Sequence, residues 1–258
     1  MNLSGIGASP TRLLKGCIHN LRQARRNQDF FFTATDRAKM GTTAIAAGLA
    51  GLGGVATGLG GMAMDTTEEA DLLEFDLDGK QVRAWIWQSV FNEGDEVEVV
   101  VEPSEAHWQG YDLYRPRDEI VALHPHCSRG RYAHYRSAFR IYLKCMVPLL
   151  IVAFAIVAYQ LHSVGVAVKE MLAGLPWLIA GALAASAICG VIAYRITRKL
   201  MGFVKLAEGI FEGFGWRNVK SIDLPAMTQR NKKPGEPAAL GVLYFRYSDD
   251  MADRGARE

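Results

Sequence analysis

Histidine and cysteine side chains that could bind zinc cluster in one short segment of the chain. His124, His126 and Cys127 lie almost side by side, and His134 follows at the spacing H-x-H-C-x6-H. Imidazole nitrogens and a thiolate can hold Zn²⁺ in a tetrahedron, but this spacing differs from the common closed zinc signatures. Neighbouring side chains such as those of His126 and Cys127 reach a single ion with difficulty. We therefore expect no metal and no other cofactor, and a turn rigidified by Pro125 instead. His124, His126 and Cys127 remain the candidate ligands.

Cys127 with His134 could instead form a nucleophile and its base, which is the other chemistry that these residue types allow. Beyond this pair, the sequence contains no S-x-x-K, G-x-S-x-G, P-loop or HExxH pattern. Its carboxylates are plentiful, but spacing alone brings no two of them together. The sequence therefore favours a protein that is not an enzyme.

The elements that would position these residues include a hairpin of two membrane-spanning helices over residues 145–194. The first apolar run covers residues 145–161 and the second covers residues 171–194, joined by a short connection. Each is close to the roughly 20 apolar residues that a membrane-spanning helix needs. The alternative is a buried hairpin of a soluble protein.

Basic residues flank both outer ends of this hairpin, whereas the connection carries only Lys169 beside Glu170. Loops rich in Lys and Arg stay on the cytoplasmic side of a membrane, so both ends of the hairpin should face a cytoplasm. We therefore predict an integral membrane protein. The residues of this basic, lipid-facing flank are Arg136, Arg140, Lys144, Arg195, Arg198 and Lys199.

A third apolar run, residues 40–64, has no charge and is rich in glycine. In lipid a backbone must satisfy its own hydrogen bonds, so a helix is favoured there despite the glycines. Small residues repeated every four positions let membrane helices approach closely, which predicts a glycine zipper and a homo-oligomer. The alternative is a flexible linker or a weak anchor. The predicted packing residues are Ala46, Ala50, Gly53, Gly54, Gly58 and Gly61, with Ala182, Ser186 and Gly190 in the hairpin.

Residues 71–128 are predicted to form a small β domain. Apolar and polar residues alternate over five short stretches, and Asp78-Gly79 is a strong hairpin turn. Five antiparallel strands in so short a segment favour a small barrel of OB or SH3-like type. The acidity of residues 65–119 argues against nucleic acid, which is bound by basic surfaces.

The remaining segments complete an α+β membrane protein. Residues 1–39 are a basic N-terminal segment, predicted to be an amphipathic helix over 9–39. Residues 195–224 predict a second amphipathic helix, with Glu208 and Glu212 on its polar side. Residues 225–258 are predicted to be a linker, from Pro225 to Pro237, and a final strand over 241–247.

Several motifs together carry a family resemblance. They are Asp29-Phe30-Phe31-Phe32-Thr33, Glu74-Phe75-Asp76-Leu77-Asp78-Gly79, Glu93-Gly94-Asp95-Glu96-Val97-Glu98-Val99-Val100 and His124-Pro125-His126-Cys127-Ser128-Arg129-Gly130. In this order, with the glycine run between the first two, the chain resembles a group of bacterial proteins described as type VI secretion system effectors. The resemblance covers most of residues 12–140 and, more loosely, the hairpin and residues 200–224.

The resemblance implies a toxin that is passed into a neighbouring cell, with a secretion carrier or chaperone and a cognate immunity protein in the producer. We expect such an effector to insert into the target inner membrane and to form a pore or depolarise it. The alternative is a resident inner-membrane protein whose hairpin anchors a cytosolic β-barrel that binds a partner. A third interpretation, a metal-dependent membrane enzyme, depends only on the histidine cluster.

Overall fold

A computed structural model describes residues 11–29, 67–104, 106–165 and 167–251 of the 258-residue chain. Within these ranges the protein is α+β, with one mixed sheet, two long apolar helices and two shorter helices. The strands are β1 (Arg12–Cys17), β2 (His19–Asp29), β3 (Thr67–Leu77), β4 (Lys80–Ile86), β5 (Glu96–Pro103), β6 (Trp108–Arg115), β7 (Ile120–Ala122) and β8 (Phe245–Arg246). The helices are α1 (Arg131–Ser163), α2 (Val168–Lys199), α3 (Met201–Gly213) and α4 (Leu224–Asn231).

The five strands predicted between residues 71 and 123 are confirmed as β3 to β7. β3 and β4 pair antiparallel around Asp78 and Gly79, whose φ angles of 51° and 69° both lie in the left-handed region. Two such residues define the turn that matches the twist of a two-residue hairpin, which explains the Asp-Gly sequence. Alternate residues of β4 are buried, as its period-two pattern predicts.

The predicted helix over residues 9–39 is wrong where the structure describes it, because residues 12–29 form β1 and β2. β1 pairs with β5 and buries Leu14, while Ile18 follows it into the same core. β2 runs along the outer side of β3 from His19 to Asp29. Its arginines suit an edge strand, where charge discourages pairing with other chains.

The sheet is mixed and open, so the predicted closed antiparallel barrel is not what the described residues form. Its strand order is β1-β5-β6-β4-β3-β2, with β7 and β8 extending from β6. β6 divides its pairing: Trp108 to Gly110 lie parallel to β4, whereas Leu113 to Arg115 lie antiparallel to β7. Because β4 and β7 share one side of β6, the sheet branches there rather than closing.

A second apolar core joins the sheet to α3 and α4. Phe203, Ile210 and Phe211 of α3 pack with Val100 and Tyr247 in this core. The amphipathic helix predicted after the hairpin is thereby confirmed over 201–213, with Gly215 at a φ of 77° just beyond its end.

The linker predicted from Pro225 to Pro237 is wrong over its first part, where α4 forms. Asp223 caps this helix by accepting a hydrogen bond from the Ala226 N–H, and Pro225 occupies the first turn. Both features favour a helix start, so Pro225 marks the beginning of α4 rather than a linker. The predicted final strand is confirmed only at Phe245–Arg246.

α1 and α2 form a hairpin of two long apolar helices, each long and apolar enough to cross a membrane. They extend beyond the predicted spans at both ends. Their large apolar side chains are exposed along the whole length, for example Ile151 at 63% and Trp177 at 81%. Such a contiguous apolar surface is far larger than water-soluble monomers expose.

Candidate functional site

The two helices of the hairpin and the helix that follows them meet at one junction, where the chain passes from the β domain into the hairpin. We call this junction the hairpin base and define it by Arg131, His134, Thr197 and Glu208. The His134 Nε2 lies 3.2 Å from the Thr197 carbonyl oxygen, which ties the first turns of α1 to the end of α2. The Arg131 guanidinium binds the Glu208 carboxylate at 2.6 Å, which ties α1 to α3.

Glu208 is a correction to the predicted polar face of α3, because its side chain is only 6% exposed. Burial alone would raise the pKa of this carboxyl, but hydrogen bonds from the Arg131 side chain and backbone N–H outweigh that effect and lower the pKa below its ordinary value. The sequence does indicate that Glu208 lies on the buried face. Val204, Glu208 and Phe211 follow one another at helical spacing on the buried face.

Residues 30–66 connect the end of β2 to the start of β3, which lies close to His126. Asp29 at the end of β2 pairs with Thr67 at the start of β3, so the two ends of that segment are neighbours. Glu68, next along β3, lies 2.9 Å from the His126 Nε2, and the His126 ring packs 5.2 Å from the ring of Phe203. Phe203 follows closely on Lys199, the last residue of α2. We call this place the insertion mouth.

The candidate metal ligands do not converge. His124 and Cys127 are buried, while His126 points to Glu68 as described above. Burial lowers the pKa of His124 to about 4 and raises the pKa of the Cys127 thiol, so both are neutral near pH 7. Over the described ranges, no group of three or more His, Cys, Asp or Glu side chains could hold a metal ion. The buried thiol with a raised pKa is a poor nucleophile.

Asp112 is a buried carboxyl that the sequence analysis missed. It lies on β6 with no exposed surface, and its Oδ1 accepts a hydrogen bond of 2.7 Å from the His124 backbone N–H. Its Oδ2 has no hydrogen-bond partner in the described part of the chain. Burial raises the pKa of Asp112 well above its ordinary value. Nothing in the local sequence separates this aspartate from the exposed acids around it.

The small residues of α2 face α1 within the same chain. Ala182, Ser186 and Gly190 are half-buried along one stripe. The Tyr142 hydroxyl donates a hydrogen bond of 2.8 Å to the Ser186 carbonyl oxygen, and a Cβ at Gly190 would lie 3.7 Å from that same hydroxyl oxygen. Their role in membrane packing stays a prediction, but their neighbour in this structure is α1.

The predicted basic flank lies on the parts of α1 and α2 nearest the β domain. All six side chains are exposed there: Arg136, Arg140, Lys144, Arg195, Arg198 and Lys199. Three of them follow the first turns of α1 and three belong to the last turns of α2. The far end of the hairpin carries Lys169 and Glu170.

The predicted glycine-zipper residues Ala46, Ala50, Gly53, Gly54, Gly58 and Gly61 lie outside the described residues. The structure therefore places only the two flanks of that run, at the insertion mouth. No model of a known protein family matches the chain, and neither a curated protein nor a solved structure matches it.

Proposed function

We propose that this chain is a type VI secretion effector that inserts into the inner membrane of a target bacterium and depolarises it. The single observation that carries this proposal is that the described ends of β2 and β3, which flank residues 30–66, lie near the helix that follows the hairpin. Glu68 of β3 contacts His126, and the His126 ring packs against Phe203 of α3. We infer that all three apolar runs enter one bilayer from one side of the β domain.

The polar groups of the hairpin discussed below are poorly suited to line a conducting pathway. The Ser186 hydroxyl donates 2.7 Å to the Ala182 carbonyl of its own helix, and the Tyr142 hydroxyl is used between the two helices. Polar groups in lipid are costly unless they are paired, and these two are paired already. In this proposal the conducting pathway is formed by residues 40–64 of several copies, which approach through Gly54 and Gly58.

The test is expression in a sensitive bacterium, with and without periplasmic delivery, while a dye reports the membrane potential. We expect the wild-type chain to abolish the potential and the double substitution Gly54→Leu with Gly58→Leu to preserve it. Gly174→Leu with Gly181→Leu is the matched control, because these hairpin glycines have open space around them. Equal toxicity of both double variants would contradict the zipper mechanism.

The second candidate function is a resident inner-membrane protein whose hairpin holds the β domain at the cytoplasmic face for a binding partner. The observation that favours it is the basic flank, which lies entirely at the domain end of the hairpin. Such asymmetry is typical of proteins inserted during their own synthesis. Absence of toxicity in both compartments, together with stable membrane insertion, would select this function. A cognate immunity protein that blocks the effect would select the effector.

A further inference from the structure

A groove lined by three arginines lies directly beside the hairpin base. Arg136 and Arg140 form one wall, one turn apart on α1, and Arg230 of α4 stands opposite them. Asn218 and Ser221 complete its polar lining. We call it the arginine groove. Residues four apart on a helix share one face, so the guanidinium groups of Arg136 and Arg140 can act together.

Arg136 and Arg140 give one wall of the arginine groove a positive charge. Among the described residues that line it, Asp223 is the one carboxylate, and the Arg129 guanidinium binds it at 2.9 Å. Asp223 also accepts the capping hydrogen bond from Ala226, and both bonds end on its Oδ1. Arg136 and Arg140 have no acidic partner in the part of the chain that the structure describes.

Backbone contacts beside the arginine groove join the start of α1 to the segment before α4. The Gly130 N–H donates 2.9 Å to the Ile222 carbonyl, and the Leu224 N–H donates 3.2 Å to the Ser128 carbonyl. Gly130 lies so close to the Val219 carbonyl that no side chain fits there. A site whose walls are fixed before binding loses less entropy when a ligand arrives.

The position of the arginine groove points to lipid. On both sides of Arg140, α1 exposes apolar side chains, Phe139 before it and Ile141 and Leu143 after it, which belong to the apolar surface of the hairpin. A hairpin in a bilayer therefore sets the arginine groove at the level of the headgroups. Guanidinium groups bind phosphate oxygens in pairs, and basic pockets beside membrane helices bind acidic headgroups.

We propose that the arginine groove binds the phosphodiester of an anionic phospholipid, such as phosphatidylglycerol, in the leaflet next to the β domain. Arg136 and Arg140 contact the phosphate oxygens, and Asn218 and Ser221 contact the hydroxyls of the glycerol headgroup. This inference rests on the membrane insertion proposed above, but not on toxicity. A bound lipid fixes the depth of the hairpin and the distance of the β domain from the bilayer.

The test uses the full chain in nanodiscs of phosphatidylcholine, titrated with a fluorescent phosphatidylglycerol. We expect Arg136→Gln with Arg140→Gln to weaken binding by about tenfold or more, since each charged hydrogen bond contributes strongly. Arg195→Gln with Arg198→Gln is the matched control. It removes the same charge at the same end of the hairpin, but these two residues lie outside the groove. Equal losses in the two double variants would overturn the site and leave a diffuse basic surface.

Two further measurements complete the test, a lysine variant and a competition with inorganic phosphate. Lysine at positions 136 and 140 keeps the charge but loses the paired hydrogen bonds, so it should recover binding only in part. Millimolar inorganic phosphate should fail to displace the lipid, and full displacement would overturn the lipid assignment in favour of a soluble phosphate. The binding is read in detergent-solubilised, refolded protein as well, so a failure of spontaneous insertion or of toxicity is distinguishable from a failure of this site.

Discussion

Arg131 and Glu208 form a two-point ion pair that fixes the first turn of the hairpin to the helix after it. The Arg131 Nη2 lies 2.6 Å and its Nε 3.0 Å from the Glu208 Oε2, and the Arg131 backbone N–H donates 2.8 Å to Oε1. One carboxylate thereby supplies the helix-starting contact of α1 and anchors it to α3. The pair therefore joins the start of the hairpin directly to α3.

The first prediction is that Glu208→Gln makes the protein less stable and less sensitive to acid. Because the pKa of Glu208 is lowered in the folded state, its stabilisation is present above the ordinary pKa near 4.5 and is lost as the pH falls through the lowered value. At neutral pH we expect the melting temperature to fall by about 2–4 °C. Thermal unfolding in detergent between pH 3 and pH 7 measures both effects.

Glu212→Gln is the control for that measurement, because Glu212 lies on the same helix with its side chain exposed. It should leave the melting temperature and the acid profile close to those of the wild-type protein. If Glu208→Gln and Glu212→Gln behaved alike, the ion pair at the hairpin base would have no role in stability.

The second prediction concerns Asp112, whose raised pKa means that the folded protein keeps this carboxyl protonated where the unfolded chain ionises it. Stability is therefore lost as the pH rises from the ordinary pKa of 3.8 toward the raised value. Asp112→Asn should remove this loss. The loss in the free energy of unfolding is up to about 1.4 kcal/mol for each pH unit between the ordinary and the raised pKa. Urea unfolding at pH 5 and pH 8 measures it.

We expect the free energy of unfolding of Asp112→Asn to exceed that of the wild-type protein by more at pH 8 than at pH 5. Glu96→Gln, an exposed neighbour on β5, should show no such difference. A variant that lost stability equally at both pH values would show that the ionised carboxylate is needed in the folded protein.

The third prediction is that Gly110→Ala destabilises the sheet. A Cβ at Gly110 would lie 2.9 Å from the Val82 Cγ1 and 3.1 Å from the Ala84 Cβ, where β4 and β6 run parallel. Overpacking of this kind costs about 1–3 kcal/mol. Gly209→Ala is the contrasting change. A Cβ at this position of α3 meets open space, and alanine favours a helix over glycine, so the variant should be more stable by up to about 1 kcal/mol. Chemical unfolding of the two variants should move in opposite directions.

Local patterns predicted the elements whose partners lie close in the sequence. The alternation in β3 and β4 and the turn at Asp78-Gly79 define a hairpin without knowledge of the rest of the chain. The two apolar helices were equally visible, because length and composition alone indicate them.

The parts that could not be predicted depend on distant partners. Leu13, Leu14, Cys17, Ile18 and Leu21 fit a helical spacing, and only the pairing of β1 with β5 makes 12–17 a strand. The parallel pairing of β4 with β6, which keeps the sheet from being purely antiparallel, is equally invisible in the sequence. At the site, the burial of Asp112 and the arginine groove both depend on packing between segments far apart in the chain.

The fourth prediction is that Gly190→Leu separates α1 from α2 near the β domain. The added side chain meets the Tyr142 ring, which lies 3.7–3.8 Å from a Cβ at this position. Cys145 and Cys189 line one groove between the two helices, so a short bis-maleimide should join them in the parent protein. We expect most of this crosslink to be lost in Gly190→Leu and retained in Gly181→Leu. Retention in both would show that Gly190 does not control the helix approach.

The measurement that tests the central claim most directly is the labelling of single cysteines in whole bacterial cells. The parent carries Cys17, Cys145 and Cys189 replaced by serine and the buried Cys127 replaced by alanine. Val164→Cys reports the tip of the hairpin, where Val164 is 78% exposed, and Glu96→Cys reports the β domain. An inserted hairpin predicts that the tip and the β domain lie on opposite sides of the membrane, so a membrane-impermeant maleimide labels one of the two positions in intact cells and the other only after permeabilisation. Release of the protein by alkaline carbonate, with equal labelling of both positions, would contradict it.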